Sequence, residues 1–312
     1  MAHCAVKYGH DMPAVPEECS NGEFNRSFDD RLWLFTRSWK PASDKAIWAT
    51  LMIVHGTVDH SGVYDELGTY LSAKGVAVFA SDMRGWGYSD GEPLYVDQID
   101  SFLGDIVSDY QRIHQAGSPC GNVTQRFLLG KSIGGLFAAW AAAEHQDKWT
   151  GLIGLSGAYQ VDAAVKPSAL VLAFVKALAY LAPKMPLKRA FDPKLIVSDA
   201  AALRAWEDDP LVSRGRITPG YLTEMLRLQD ALAEHLKRLK VPVLLLWGTG
   251  DQVVTEAGQK LVLAAAPGAS QLKRYDGGFH NLLAEPKLKD QVIEDISCWI
   301  QEVSKQFLAV KK

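Results

Sequence analysis

Short, almost wholly apolar runs limit the fold of this chain more than any other feature. They are Thr50-Leu51-Met52-Ile53-Val54, Val76-Ala77-Val78-Phe79-Ala80, Phe127-Leu128-Leu129, Leu152-Ile153-Gly154-Leu155 and Val243-Leu244-Leu245-Leu246-Trp247, separated by stretches of helical composition. Apolar strands alternating with helices specify a parallel sheet covered on both faces, hence an α/β fold. An earlier strand is expected from Arg31-Leu32-Trp33-Leu34-Phe35 to near Lys40-Pro41, after a polar lead-in over 1–22. The alternation breaks at 161–228, a mostly helical stretch with Pro167, Pro183, Pro186, Pro193, Pro210 and Pro219 and no convincing buried strand. With 312 residues the chain can be one large α/β domain with an insertion. The expected layout is a core of 23–160 and 229–312 with 161–228 as a helical cap over the sheet.

The third run leads into Gly130-Lys131-Ser132-Ile133-Gly134-Gly135. Its first three letters match the end of a phosphate-binding loop, but G-x-x-x-x-G-K-[ST] needs glycine at 125, and Gln125 stands there. G-x-S-x-G fits in full. That motif puts a serine on a strained strand-to-helix turn, and its glycines let strand and helix approach closely. Leu136 to Ala143 supplies good helix-forming material behind it.

A serine nucleophile needs a base and an acid. His280 follows the strand-like Gln271-Leu272-Lys273-Arg274-Tyr275, and Asp251 follows the 243–247 run, so both occupy strand ends, where catalytic side chains collect. The order Ser132, Asp251, His280 is that of the α/β-hydrolases. Asp276 is the alternative carboxylate. The oxyanion donors are expected to be the backbone amides of Ile133 and of Thr57, in the loop His55-Gly56-Thr57 after the first run. His55 is expected to brace that loop, and His60, His114, His145 and His235 to be surface or packing residues. Gly85-Trp86-Gly87 lacks the last glycine of a dinucleotide fingerprint, because Asp90 stands there, and is better explained as a turn.

Composition narrows the partners. Net charge is −3 and no basic run is long enough to suggest nucleic-acid binding. Cys4, Cys19, Cys120 and Cys298 are scattered without metal-ligand spacing. No metal or cofactor is expected, and a reduced, cytoplasmic setting is the simplest reading. The first twenty residues lack the pattern of a secretory signal. The longest nearly apolar run, Ala169 to Ala182, is interrupted by Lys176 and falls short of the ~20 residues that span a bilayer. Within it Leu170, Phe174, Leu178 and Leu181 share one helical face. Such a stripe serves core packing or lipid contact, and both hold if one face packs and another meets lipid.

These motifs resemble the monoacylglycerol lipase and lysophospholipase branch of the α/β-hydrolases, over about residues 23–303. His55-Gly56-Thr57-Val58-Asp59-His60-Ser61-Gly62-Val63-Tyr64 is similar to H-G-x-G-E-H-S-x-R-Y, and Asp82 to Gly91 to D-x-x-G-H-G-x-S-x-G. The elbow resembles G-H-S-M-G-G, and Asp208-Asp209-Pro210-Leu211 resembles S-D-P-L. The resemblance implies an α/β-hydrolase fold with Ser132, Asp251 and His280 as triad and the Thr57 and Ile133 amides as oxyanion hole. It also implies a helical cap that admits an acyl chain, often from a membrane surface. Against the family pattern, Val58 replaces a glycine, and Lys131 and Ile133 replace the elbow's histidine and methionine. Val63 and Leu283 stand where an arginine and a histidine help bind glycerol in the family.

The expected activity is therefore hydrolysis of a carboxylic ester, with a lipid monoester (a monoacylglycerol or lysophospholipid) as first candidate and peripheral membrane contact through the cap. A carboxylesterase for smaller esters and an acyltransferase use the same acyl-enzyme. A binding protein on the same fold is the non-enzymatic alternative, and the intact Ser132, Asp251 and His280 speak against it.

Overall fold

The computed structural model describes residues 10–96, 98–163, 166, 168–187, 192–213 and 217–310. Cys4 and Pro167 lie outside these. In chain order the elements are β1 (Gly22–Arg26), β2 (Trp33–Trp39), β3 (Ala49–Val54), α1 (Asp65–Ala73), β4 (Val76–Ser81), α2 (Ile99–His114), β5 (Gln125–Lys131), α3 (Ile133–Glu144) and β6 (Gly151–Leu155). Then follow α4 (Ala169–Leu181), α5 (Ala200–Asp208), α6 (Pro219–His235), β7 (Val243–Gly248), α7 (Glu256–Ala265), β8 (Gln271–Tyr275) and α8 (Lys289–Val310).

The strands form one sheet in the order β1-β2-β4-β3-β5-β6-β7-β8. The pairs from β4 to β8 are parallel, and β1 and β2 add an antiparallel edge. Successive side chains of a strand point to opposite faces. Accordingly Met52, Val54, Leu128, Leu152 and Leu245 join Phe137 and Tyr221 in one core layer. Leu51, Ile53, Leu129, Ile153 and Leu244 join Leu67, Ile296 and Trp299 in the other. Burial on both faces is why these runs read as continuously apolar.

All seven expected strands are present, and β1 is an addition. Its sequence, GEFNR, buries only Phe24 and pairs on one side only, so it carries no apolar pattern. The lead-in before it is not wholly peripheral, because Cys19 is buried against Phe24 and Phe35.

Between β6 and β7 the described residues form α4, α5 and α6, two short 3-10 helices (Pro193–Leu195 and Leu236–Arg238) and a single bridge, Val161 to Val254. Ser168, Asp199 and Thr218 cap these helices, each side chain accepting a backbone N–H of the first turn. Pro219 occupies the first turn of α6, where its missing N–H costs nothing. Helix α6 runs past residue 228 to His235, and its Tyr221, Met225, Leu228 and Leu232 are buried in the same layer as α3. Helix α4 packs on α6 but buries only Val175.

Candidate active site

Ser132 sits between β5 and α3 with φ 52° and ψ −121°, a conformation that costs roughly 1–3 kcal/mol and persists only where its surroundings enforce it. Here its N–H donates to the Leu155 carbonyl (3.0 Å), while its own carbonyl accepts from Gly135 (2.9 Å) and Ala158 (2.8 Å). The flanking glycines are required by proximity. A Cβ on Gly130 would lie 2.2 Å from the Gly134 oxygen, and one on Gly134 2.1 Å from the Val54 oxygen. Helix α3 can thus press against the ends of both β5 and β3.

His280 and Asp251 reach the serine from the loops after β8 and β7. Asp251 Oδ2 lies 2.8 Å from His280 Nδ1, and His280 Nε2 lies 2.9 Å from Ser132 Oγ. An ionised carboxylate can only accept, so Nδ1 carries the hydrogen and Nε2 presents its lone pair to the serine hydroxyl. The other oxygen of Asp251 accepts the N–H groups of Val253 (2.8 Å) and Val254 (3.0 Å), which fixes the carboxylate. Asp276, the alternative acid, is exposed and accepts from the Thr249 hydroxyl instead.

The Ile133 amide opens α3, where an N–H has no partner within its own helix and the helix dipole is positive. Thr57 is held from two sides: its carbonyl accepts the Trp86 indole N–H (2.6 Å), and its hydroxyl is hydrogen-bonded to Tyr221 of α6. His55 is fully buried behind the loop. Its Nδ1–H donates to the Gly56 carbonyl (2.8 Å) and its Nε2 accepts the Met83 N–H (2.9 Å). Burial holds its pKa below the ordinary value, so the ring stays neutral and braces the loop as expected. Gly85-Trp86-Gly87 belongs to a pair of tight turns after β4 (Trp86 N–H to Met83 O, Ser89 N–H to Trp86 O).

Thr57, Val58, Asp59, Lys131, Ser132, Ile196, Val253 and His280 line a small cleft at the serine. Lys131 and Asp59 form an ion pair in its wall, with Nζ 2.9 Å from Oδ2 and 3.1 Å from Oδ1. Burial works to raise the Asp59 pKa, but the Lys131 ammonium outweighs it and holds the carboxyl below its ordinary value.

The helical segment between β6 and β7 is tied to this site. Trp206 donates to the Val58 carbonyl (3.1 Å), and His60, buried rather than superficial, pairs with Asp209 (2.9 Å). Ile196 accepts the Asn281 N–H (2.7 Å) next to the histidine. No local sequence pattern marks any of these partners. Val63 and Leu283 are not among the cleft-lining residues; both pack, half-buried, on the layer beneath α1 and α8. Leu170, Phe174 and Leu181 are 85%, 66% and 78% exposed, so the core does not use them, while Leu178 is half-buried. Among the described residues no group of three or more His, Cys, Asp or Glu side chains is placed to hold a metal ion.

Residues 45–287 match the Hydrolase_4 family, described as serine aminopeptidase, S33. The monoglyceride lipase of Rattus norvegicus is 30% identical over 273 residues, 87% of this chain and 88% of that one. The caffeoylshikimate esterase of Arabidopsis thaliana is 28% identical, covering 88% of this chain and 83% of the relative. The crystal structure of the monoacylglycerol lipase of Paleococcus ferrophilus superposes with a TM-score of 0.76 at 25% identity, over 87% of this chain and 98% of that one. A family match over most of its length and a 30% identical relative establish that the chain belongs to the Hydrolase_4 family and is a serine ester hydrolase of the α/β-hydrolase fold.

Proposed function

We propose that Ser132 is the nucleophile of a lipid monoesterase, with a monoacylglycerol as first substrate and a lysophospholipid second. The observation that carries this reading is the unbroken hydrogen-bonded chain Ser132–His280–Asp251 on a strained, over-determined turn. His280 Nε2 takes the hydroxyl proton as Oγ attacks the ester carbonyl, and Asp251 stabilises the imidazolium. The Thr57 and Ile133 amides receive the oxyanion, each such donor being worth roughly 2.7–4 kcal/mol in the transition state. His280 returns the proton to the leaving alcohol, and water then cleaves the acyl-enzyme by the same route. No step calls for a metal or cofactor.

The lipid assignment is supported by the similarity to monoacylglycerol lipases and by helix α4, whose exposed Leu170, Phe174 and Leu181 offer an apolar face to a membrane surface or an acyl chain. The cap over 161–228 thereby acts as the element of peripheral membrane contact. A second reading, a carboxylesterase for smaller esters, is favoured by the small size of the cleft at the serine. The experiment that separates the two is hydrolysis of p-nitrophenyl esters of rising chain length beside monoacylglycerol and lysophosphatidylcholine. Rates that climb with acyl length and high turnover of monoacylglycerol support the first reading. A maximum at acetate or butyrate, with neither lipid cleaved, supports the second. Transfer of the acyl group to an added alcohol in preference to water would make the enzyme an acyltransferase.

A further inference from the structure

Two departures from the family motifs meet in space. Asp59 stands where the resembling motif has glutamate, Lys131 where it has histidine, and the two form an ion pair, with side chains 2% and 3% exposed respectively. Asp59 lies two residues after Thr57, and Lys131 is the last residue of β5, immediately before Ser132. The carboxylate also accepts the Gly56 N–H (3.2 Å), and the Asp59 N–H donates back to the Gly56 carbonyl (3.3 Å). Residues 56–59 are thus closed into a ring around Thr57, and the ring is fastened to the nucleophile turn through the ammonium. Gly56 completes the contact: a Cβ there would lie 2.7 Å from Asp59 Oδ2 and 3.2 Å from Ser132 Cβ.

We propose that the Asp59–Lys131 pair is a positioning element that sets the distance between the Thr57 and Ile133 amides, and so the fit of the oxyanion. This rests on the reading of Ser132 as nucleophile. A buried ion pair is a poor source of net stability, because desolvation of both charges offsets their attraction. What it supplies is geometry. Two carboxylate oxygens on one ammonium, with a backbone N–H on the same carboxylate, leave the loop little freedom to drift from the turn. Oxyanion stabilisation acts only in the transition state, so loss of that geometry lowers kcat and leaves KM in place.

The test compares wild type with the apolar double variant Asp59→Leu/Lys131→Met, using a soluble p-nitrophenyl ester, with melting temperature recorded alongside. Affinity for a trifluoromethyl ketone, which forms an oxyanion on the serine, is measured against affinity for the free fatty acid product. We expect the double variant to melt no lower than wild type. Its kcat should fall roughly 10- to 100-fold, below the full loss of one donor, with KM within twofold. Ketone affinity should fall in parallel and fatty acid affinity should hold. Wild-type kcat in a folded double variant overturns the proposal, as does an equal loss of both affinities. If the double variant does not fold, Asp59→Asn, which keeps the shape and an acceptor for Gly56, is judged by the same criteria. Fluorophosphonate labelling of wild type and of Ser132→Ala is run beside it. Labelling that survives in Ser132→Ala overturns the reading of the nucleophile and the positioning role with it, whereas wild-type kcat in the folded double variant, with labelling lost in Ser132→Ala, overturns the positioning role alone.

Discussion

Helices α3 and α4 have similar composition and opposite fates. In α3, IGGLFAAWAAAE, every residue but Glu144 is buried; in α4, ALVLAFVKALAYL, Val175 alone is. The contrast comes from what each helix packs on. Small residues let α3 lie directly on β5 and β6, and larger core side chains close over it from α2 and α6. Helix α4 touches α6 along one line and leaves leucines and a phenylalanine in solvent. Apolar surface in α3 is spent on the fold, and its first amide and the residue before it are the ones proposed to serve the chemistry. Apolar surface in α4 is not needed for the fold and is available to a lipid. The first helix should therefore matter to every substrate, and the second only to an aggregated one.

The largest expected effect lies at the site that α3 completes. Asp251→Asn keeps the shape but presents the wrong tautomer of His280, and kcat should fall on the order of 10⁴-fold. The loss should be equal for a soluble ester and for vesicles, in steady-state assays of both. A near-neutral result would return attention to Asp276. Next comes stability. Phe137→Ala empties a buried site beside Phe102 (ring centroids 5.2 Å apart) and should cost about 3–5 kcal/mol in denaturant unfolding. Phe174→Ala should change stability by no more than ~0.5 kcal/mol. Comparable losses in both would break the contrast between the helices.

A smaller effect is expected on α4 itself. Phe174→Gln combined with Leu181→Gln should lower kcat/KM on monoacylglycerol vesicles by about tenfold, since each buried apolar side chain contributes roughly 1.5–3 kcal/mol and only part of it is recovered at an interface. The same variant should hydrolyse a short soluble ester within twofold of wild type. Equal losses on both would assign those side chains to packing. The smallest effect is on pH. Burial pushes the His114 pKa down to about 4, and the neutral ring donates Nδ1–H to the Tyr110 carbonyl (2.9 Å) while Nε2 accepts from Thr50 Oγ1 (3.0 Å). Between about pH 6.5, the ordinary value, and pH 4 the unfolded chain binds this proton and the folded one does not. Its contribution is complete above 6.5 and is lost as pH falls toward 4. Melting temperatures of wild type and His114→Gln should therefore converge on acidification. A gap that widens would contradict this.

Legibility followed the range over which a signal acts. Strands buried on both faces announce themselves in consecutive residues, as Thr50 to Val54 and Val243 to Trp247 do, whereas the edge strand β1 has only Phe24 to betray it. Ser132, Asp251 and His280 could be singled out because each stands at a strand end with a local motif around it. The side chains that hold Thr57 and the nucleophile turn could not. Asp59 and Lys131 are 72 positions apart and Thr57 and Tyr221 are 164, and no local pattern marks either pair. His60 reads as a surface or packing residue in the sequence for the same reason, its partner Asp209 lying 149 residues on. In α4 the period of Leu170, Phe174, Leu178 and Leu181 defines a face, but periodicity does not say which face the core will take. The core took Val175 and Leu172.

The central claim is that ester cleavage runs through Ser132, and the most direct measurement is peptide mass mapping after fluorophosphonate inactivation, read beside fatty acid release from monoacylglycerol. The account predicts a single adduct on the peptide carrying Ser132, inactivation in step with its formation, and neither adduct nor fatty acid release in a folded Ser132→Ala protein. An adduct on another residue, or fatty acid release that persists in Ser132→Ala, would contradict it.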